Sequence, residues 1–75
     1  MSAAAAITDL TRDAAQEAAA ITAVYAGQAA QCLACDDEPG AERALAIAIS
    51  HIRESAKYFR EWQARKAEKA DQGLS

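Results

Sequence analysis

The chain has 75 residues and a net charge of −3, which limits it to one domain and argues against a dedicated nucleic-acid binder, because such domains are usually strongly basic. Ala supplies 22 of the residues, so helix propensity is high while the apolar area that each residue can bury is small. The sequence has no run of about 18 apolar residues and no basic segment before its first Ala run, so we predict neither a transmembrane helix nor a signal peptide. We therefore expect a cytoplasmic protein with no membrane partner.

The first predicted helix runs from about residue 3 to residue 34. Its apolar residues recur three and four positions apart, which is the period of a helix, and they are Ile7, Leu10, Ala14, Ala18, Ile21, Tyr25, Ala29 and Cys32. Behind this stripe, Ala19, Ala23 and Gly27 recur every four residues. Small residues at this spacing let another helix approach closely, so we expect Ala23 and Gly27 to lie at an interface with a second protomer. The alternative is that Ala simply fills an exposed helix.

One turn interrupts the helical pattern at residues 35–39. Pro39 suits the first turn of the helix that follows, and Asp36, Asp37 and Glu38 complement the positive end of its dipole. A connection this short makes the two helices antiparallel neighbours. The second helix is predicted from about residue 39 to residue 70, and residues 1–75 then form a single helical hairpin.

The second helix carries two stripes. The apolar residues on one face are predicted to pack on the first helix, and they are Leu45, Ala48, Ile49, Ile52, Ala56 and Phe59. The opposite face is predicted to point outward and consists of Arg43, Ile47, Ser50, Glu54, Tyr58, Glu61 and Arg65. An ordinary solvated face would not carry an Ile and a Tyr, so we expect this outer stripe to bind a partner. The identity of that partner decides the function.

A hairpin of two such helices buries little apolar surface on its own. Ordering the chain costs about 1.5 kcal/mol of conformational entropy per residue, whereas burying apolar surface stabilises the fold by about 25 cal/mol per Å². The predicted fold is therefore an all-α, two-helix antiparallel hairpin that assembles into a four-helix bundle dimer or a higher oligomer. The charges agree, because residues 1–40 sum to −5 and residues 41–75 to +2, which suits antiparallel pairing or head-to-tail contacts between copies.

Two features are weighed as chemical sites. Cys32-Leu33-Ala34-Cys35 is a CxxC motif, but it lies at a helix C-terminus beside three acidic residues, where a thiolate is disfavoured. We predict that both Cys are small buried fillers, with an intersubunit metal site or disulfide as the alternative. His51 has no nucleophile or further ligand at motif spacing, and its place on the helix flank predicts packing at an interface. The chain is therefore predicted not to be an enzyme and to need no metal and no cofactor.

The outer stripe of the second helix is the predicted ligand-binding surface. Arg43 would bind a phosphate group, and Tyr58 would stack on a base-like ring. Ser50 and Glu54 would contact the polar edges of the same ligand. Together these residues predict a nucleotide-like ligand.

Three alternatives compete with a nucleotide-like ligand. A protein partner would use Ile47, Tyr58 and Trp62 as anchors, because Tyr, Trp and Arg are favoured at binding hot spots. A face that is merely solvated is the simplest alternative, since its charged residues sit at positions that stabilise a bare helix. Binding to structured RNA is the third alternative and would use Arg53, Lys57, Arg60 and Lys66. The net negative charge of the chain disfavours it.

Residues 39–58 carry a recognisable pattern: Pro39 after an acidic turn, Arg43, the run Ile47-Ala48-Ile49-Ser50, then Ile52, Glu54, Ser55 and Tyr58. In this pattern the second helix resembles a family of short phage hairpins that sequester cyclic-nucleotide immune signals, the anti-CBASS sponges. The resemblance implies dimers and larger oligomers that hold the ligand between protomers. It also implies a viral protein of phage or prophage type that evades host defence, with inhibition of a host protein as the alternative function.

Overall fold

The computed structural model is an antiparallel hairpin of two helices, α1 at Ala3–Ala34 and α2 at Glu38–Leu74. It describes the backbone of residues 3–74 and the side chains of residues 6–70. The predicted all-α hairpin is thus confirmed, although α2 starts one residue earlier than predicted and continues past residue 70. Neither helix, within the residues described, has an apolar stretch long enough to cross a membrane. The hairpin is a rod with extents of 59 × 17 × 13 Å.

The turn is fixed by two consecutive capping motifs. Asp36 has a left-handed φ of 57°, and its N–H donates to the Leu33 carbonyl at 3.2 Å while the Asp37 N–H donates to the Cys32 carbonyl at 2.8 Å. This pair of bonds is the Schellman ending of a helix. Asp37 then caps α2, because its Oδ1 accepts a hydrogen bond from the N–H of Gly40 at 3.0 Å. The chain therefore reverses with its helix-end groups paired.

Small residues form the seam between the two helices. The buried residues are Ala15, Ala18 and Ala29 on α1 and Ala41, Ala44, Ala48 and Ser55 on α2. On α1 the predicted stripe is buried at Ala18 and Ala29, but its first two members, Ile7 and Leu10, are 46% and 68% exposed. The core of the hairpin is thus made of alanine and one serine.

The prediction that the larger apolar stripe of α2 packs on α1 is wrong. Leu45, Ile49, Ile52 and Phe59 are 44–47% exposed, and Ala48 is the only member of that stripe that is buried. We name as the apolar face the residues Leu45, Ile49, Ile52, Ala56 and Phe59 of α2 together with Ala19 of α1. Ala19 shares a groove with Ile52, Ala56 and Phe59. This face covers one side of the hairpin.

The difference arises because α2 carries two heptad patterns side by side. One pattern lies at the seam, with Ala41, Ala44, Ala48 and Ser55 buried and His51 and Tyr58 half-buried, while the other consists of the five α2 residues of the apolar face. Small side chains let the two backbones approach, and at this separation the Ser55 Oγ donates a hydrogen bond of 2.7 Å to the Ala15 carbonyl. Close packing and this bond select the seam of small residues over the seam of large ones.

Candidate ligand-binding face

Two clefts lie in a row on the other side of the seam, and we call this side the polar face. The turn cleft has a volume of about 280 Å³ and is lined by Tyr25, Gln28, Cys32, Asp37, Gly40, Arg43, Ala44 and Ile47. The central cleft has a volume of about 240 Å³ and is lined by Ala14, Glu17, Ala18, Ile21, His51, Glu54 and Tyr58. Each cleft takes its walls from both helices, so the hairpin itself creates them.

A pair of stacked rings joins the two clefts. Tyr25 from α1 and His51 from α2 stack with ring centroids 6.2 Å apart and an angle of 8° between the ring planes. Both residues are half-buried. The His51 Nδ1 atom is buried with no hydrogen-bond partner among the described residues, and Glu54 Oε2 lies 3.7 Å from it. The rings hold each other in place and form a fixed wall between the clefts.

The four predicted ligand-binding residues are divided between these clefts. Arg43 lines the turn cleft, whereas Glu54 and Tyr58 line the central cleft. Ser50 is exposed and belongs to neither cleft. Arg43 and Tyr58 are about 22 Å apart along α2, at a rise of 1.5 Å per residue. Within one chain, the arginine and the tyrosine therefore do not form a single compact site.

The electrostatics of the two clefts differ. Arg43 is the one cationic residue among the described residues lining them, and Asp37 shares its cleft. The central cleft instead carries two carboxylates, Glu17 and Glu54, beside His51 and Tyr58. An anionic group is thus favoured near Arg43, while hydrogen-bond donors and aromatic rings are favoured near Tyr58.

The predicted interface residues are spread over several surfaces. Ile47 is 38% exposed and lines the turn cleft, and half-buried His51 lies at the seam. Ala23 is exposed, and a Cβ added to Gly27 would meet open space. Trp62 lies on the side of the apolar face, where it lines a groove of about 430 Å³.

The basic residues considered for RNA binding are exposed, namely Arg53, Lys57, Arg60 and Lys66. Two of them lie on aromatic rings of their own helix. The Lys66 Nζ is 4.2 Å from the centroid of the Trp62 ring, and the Lys57 Nζ is 6.0 Å from the centroid of the Tyr58 ring. These lysines therefore cover aromatic surface as well as presenting charge.

The two Cys have different surroundings. The prediction that both are buried fillers is wrong for Cys35, because Cys35 is exposed while Cys32 is half-buried, and both are free thiols. Partial burial, followed by the charge of Asp37 and a hydrogen bond with it, raises the pKa of the Cys32 thiol above its ordinary value, and Arg43 opposes this shift. The expected low reactivity of Cys32 therefore has a structural cause. Among residues 6–70, no group of three or more His, Cys, Asp or Glu side chains could hold a metal ion.

The sequence-based prediction of the ligand-binding surface names residues of α2 alone. In the structure, Glu17, Ile21 and Tyr25 of α1 also line the clefts. The signal was available, because Ile21 and Tyr25 lie in the apolar stripe of α1 and antiparallel pairing places them opposite the middle of α2. Comparison with protein-family models, with curated proteins and with solved structures found no match for the chain.

Proposed function

We propose that this chain is a small, non-enzymatic binding protein of phage or prophage type that sequesters a nucleotide-like immune signalling ligand and so counters host defence. The observation that carries the proposal is the polar face, where Arg43, the stacked Tyr25–His51 pair and Tyr58 follow one another along a single side of the hairpin. Arginine, tyrosine and histidine are the residue types that bind phosphate and stack on bases. The resemblance of residues 39–58 to cyclic-nucleotide sponges supports the same ligand class.

The separation of Arg43 from Tyr58 favours a ligand held between two protomers. If the polar faces of two copies pair antiparallel about an axis near Ser50 and His51, Arg43 of one chain lies level with Tyr58 of the other. Two equivalent sites then form, and each takes its arginine from one chain and its tyrosine from the other. A cyclic dinucleotide or trinucleotide, with several phosphates and bases, fits such a shared site.

The charges on the polar face specify how the ligand lies. Its phosphate groups face Arg43, because Glu17 and Glu54 repel anions from the central cleft. Its base edges carry amino and imino groups, and those carboxylates accept hydrogen bonds from them. Tyr58 supplies the stacking surface. The ligand class is thus an anionic nucleotide whose bases are exposed for contact.

The structure weakens the alternative of a single anchor cluster for a host protein. Ile47 and Tyr58 border clefts of the polar face, but Trp62 lies on the other side of the seam. A host protein would therefore have to contact two sides of the hairpin to use all three anchors. For RNA, the spread of exposed basic residues gives no defined groove among the residues described.

Isothermal titration of cyclic dinucleotides and trinucleotides into the purified protein tests the proposal. Binding is expected for at least one member of the panel. Arg43→Ala should weaken it about tenfold or more, since a hydrogen bond to a charged group contributes about 1.5–3 kcal/mol. Arg53→Ala is the matched control, because Arg53 is an exposed arginine on the same helix that lines neither cleft.

Mixing two inactive variants tests whether the site is shared. If each site needs Arg43 of one chain and Tyr58 of another, a mixture of Arg43→Ala and Tyr58→Ala chains regains about a quarter of the sites, all in mixed pairs. No recovery on mixing would show that one chain provides the whole site. No heat with any member of the panel would remove the nucleotide proposal.

A further inference from the structure

We propose that a second copy of this chain covers the apolar face, in a two-fold symmetric dimer that forms without any ligand. The large residues of α2 on one copy pack against the small residues of α1 on the other. This interface is distinct from the polar face, and it does not depend on the proposed ligand.

The apolar face has the pattern of an unused helix seam. Leu45, Ile49, Ile52, Ala56 and Phe59 alternate spacings of four and three residues, which is the heptad pattern of residues that pack against a partner helix. The four large members are each 44–47% exposed. A heptad row of Leu, Ile and Phe along one side of a helix is typical of a surface that packs against another helix.

The exposed area supports the same conclusion. The chain exposes 5489 Å², whereas a folded monomer of 7.9 kDa is expected to expose about 4,400 Å². The surplus of about 1,100 Å² is spread over the whole 59 Å length of the rod, and it is large enough to contain the roughly 800 Å² that each partner buries in a standard interface. Among the described residues, no large side chain is fully buried. Covering the apolar face supplies the core that the single hairpin lacks.

A second copy is the partner that this face fits, because the face is complementary to itself. Its α2 half presents large side chains, and its α1 half presents the exposed Ala19. The heptad position of Ala19 continues to Ala26, which is also exposed. A two-fold axis places the large side chains of each α2 on the small residues of the α1 of the other copy. Both halves of the apolar face are then covered in one interface.

The net charges of the helices agree with the same partner. The first helix, α1, carries three acidic residues and Arg12 and sums to −2, whereas residues 41–75 sum to +2. Laying α2 of one copy on α1 of the other therefore pairs helices of opposite net charge, with Arg12 of α1 at the border of the groove. The two clefts lie on the other side of the seam, so this dimer leaves them open. A ligand shared by two chains would then join the polar faces of two such dimers.

Sedimentation equilibrium without ligand tests the dimer with two matched variants. Ile52→Glu places a charge in the middle of the apolar face and should reduce the mass to 7.9 kDa at concentrations where the wild type has at least twice that mass. Ile47→Glu makes the same change on the same helix, at a residue with similar exposure on the polar face, and should leave the dimer intact.

The wild-type chain provides a test that does not depend on a variant folding. If unfolding is coupled to dissociation, the melting temperature rises with protein concentration across a roughly hundredfold range. A wild-type mass of 7.9 kDa with a concentration-independent melting temperature would overturn the proposal. So would dissociation by Ile47→Glu with Ile52→Glu still dimeric, because the interface would then be on the polar face. Neither result depends on ligand binding, so each is separable from failure of the proposed function.

Discussion

Single residues of the turn determine how α1 ends and α2 begins. Asp36 holds a left-handed φ of 57°, a conformation that costs little for Asp or Gly and more for other residues. Gly40 is required for a different reason. A Cβ at this position would overlap the Asp37 carboxylate and lie 3.0 Å from the Cys32 Sγ, so a larger residue here must displace the capping side chain of Asp37.

The same substitution at two glycines should have different effects. Gly27→Ala fills open space on α1 and should stabilise it by about 0.8–1.0 kcal/mol through helix propensity. Gly40→Ala has a similar propensity gain within α2 but forces Asp37 out of its capping position, which costs about 1 kcal/mol, so its net effect on stability should be close to zero. Thermal melts at one protein concentration should show a rise of about 4–8 °C for Gly27→Ala and less than about half that shift for Gly40→Ala. A loss of stability in Gly27→Ala would instead place a closely packed helix against that position.

The Cys32 thiol provides a pH-dependent test. Partial burial and Asp37 raise its pKa, so at neutral pH it should react with iodoacetamide several-fold more slowly than the exposed Cys35 does, because the thiolate is the reactive form. Asp37→Asn removes the charge but retains a capping side chain, and should speed the reaction of Cys32 alone. Peptide mass spectrometry distinguishes the two sites. Equal rates at both Cys in the wild type would contradict the assigned surroundings.

The sign of the linked stability change follows from the raised pKa. The folded state holds the thiol proton more tightly than the unfolded state, so the stabilisation is fully present below the ordinary thiol pKa of 9.0 and is lost as the pH rises above that value. Urea titrations of the wild type should therefore show falling stability in this alkaline range. Cys32→Ala should remove that part of the decline.

At the scale of the helices, the seam is the feature that sequence reasoning placed incorrectly. Periodicity correctly predicted two amphipathic helices, a short turn and antiparallel packing. It ranked faces by hydrophobicity, however, and so assigned Leu45, Ile49 and Ile52 to the intrachain contact. The chain instead buries its alanines, because close backbone approach and the bond from Ser55 to Ala15 are available only on that face. A single-chain hydrophobicity pattern cannot tell which of two seams meets the same chain and which meets another copy.

The hydrogen bond between Ser55 and Ala15 links α2 to α1 across 40 residues of sequence. Ser55→Ala should destabilise the hairpin by about 0.5–1.5 kcal/mol, the net contribution of one hydrogen bond. Ser50→Ala is the matched control, because Ser50 is exposed on the same helix and its loss should change stability by less than about 0.5 kcal/mol. Urea unfolding followed by circular dichroism measures both. Equal effects would show that the bond does not stabilise the fold.

At the scale of the whole molecule, the hairpin separates two surfaces. The apolar face is proposed to join two copies, and the polar face carries the clefts proposed to bind ligand. The sequence predicted Arg43, Glu54 and Tyr58 on one helix face, but it did not predict that Tyr25 and His51 stack between the clefts. That contact depends on the register of the two helices, which the turn and the Ser55 bond set together, and periodicity within one helix carries no information about register.

The most direct test of the central claim, ligand sequestration by a self-associated hairpin, is light scattering combined with thermal melting, with and without a mixture of cyclic dinucleotides and trinucleotides. We expect a discrete oligomer whose melting temperature rises by about 10 °C or more, because a ligand at 100 times its dissociation constant adds about 2.7 kcal/mol. A discrete oligomer with an unchanged melting temperature across the whole mixture would contradict the sequestration of a cyclic nucleotide. A folded monomer would contradict the self-association on which the account depends.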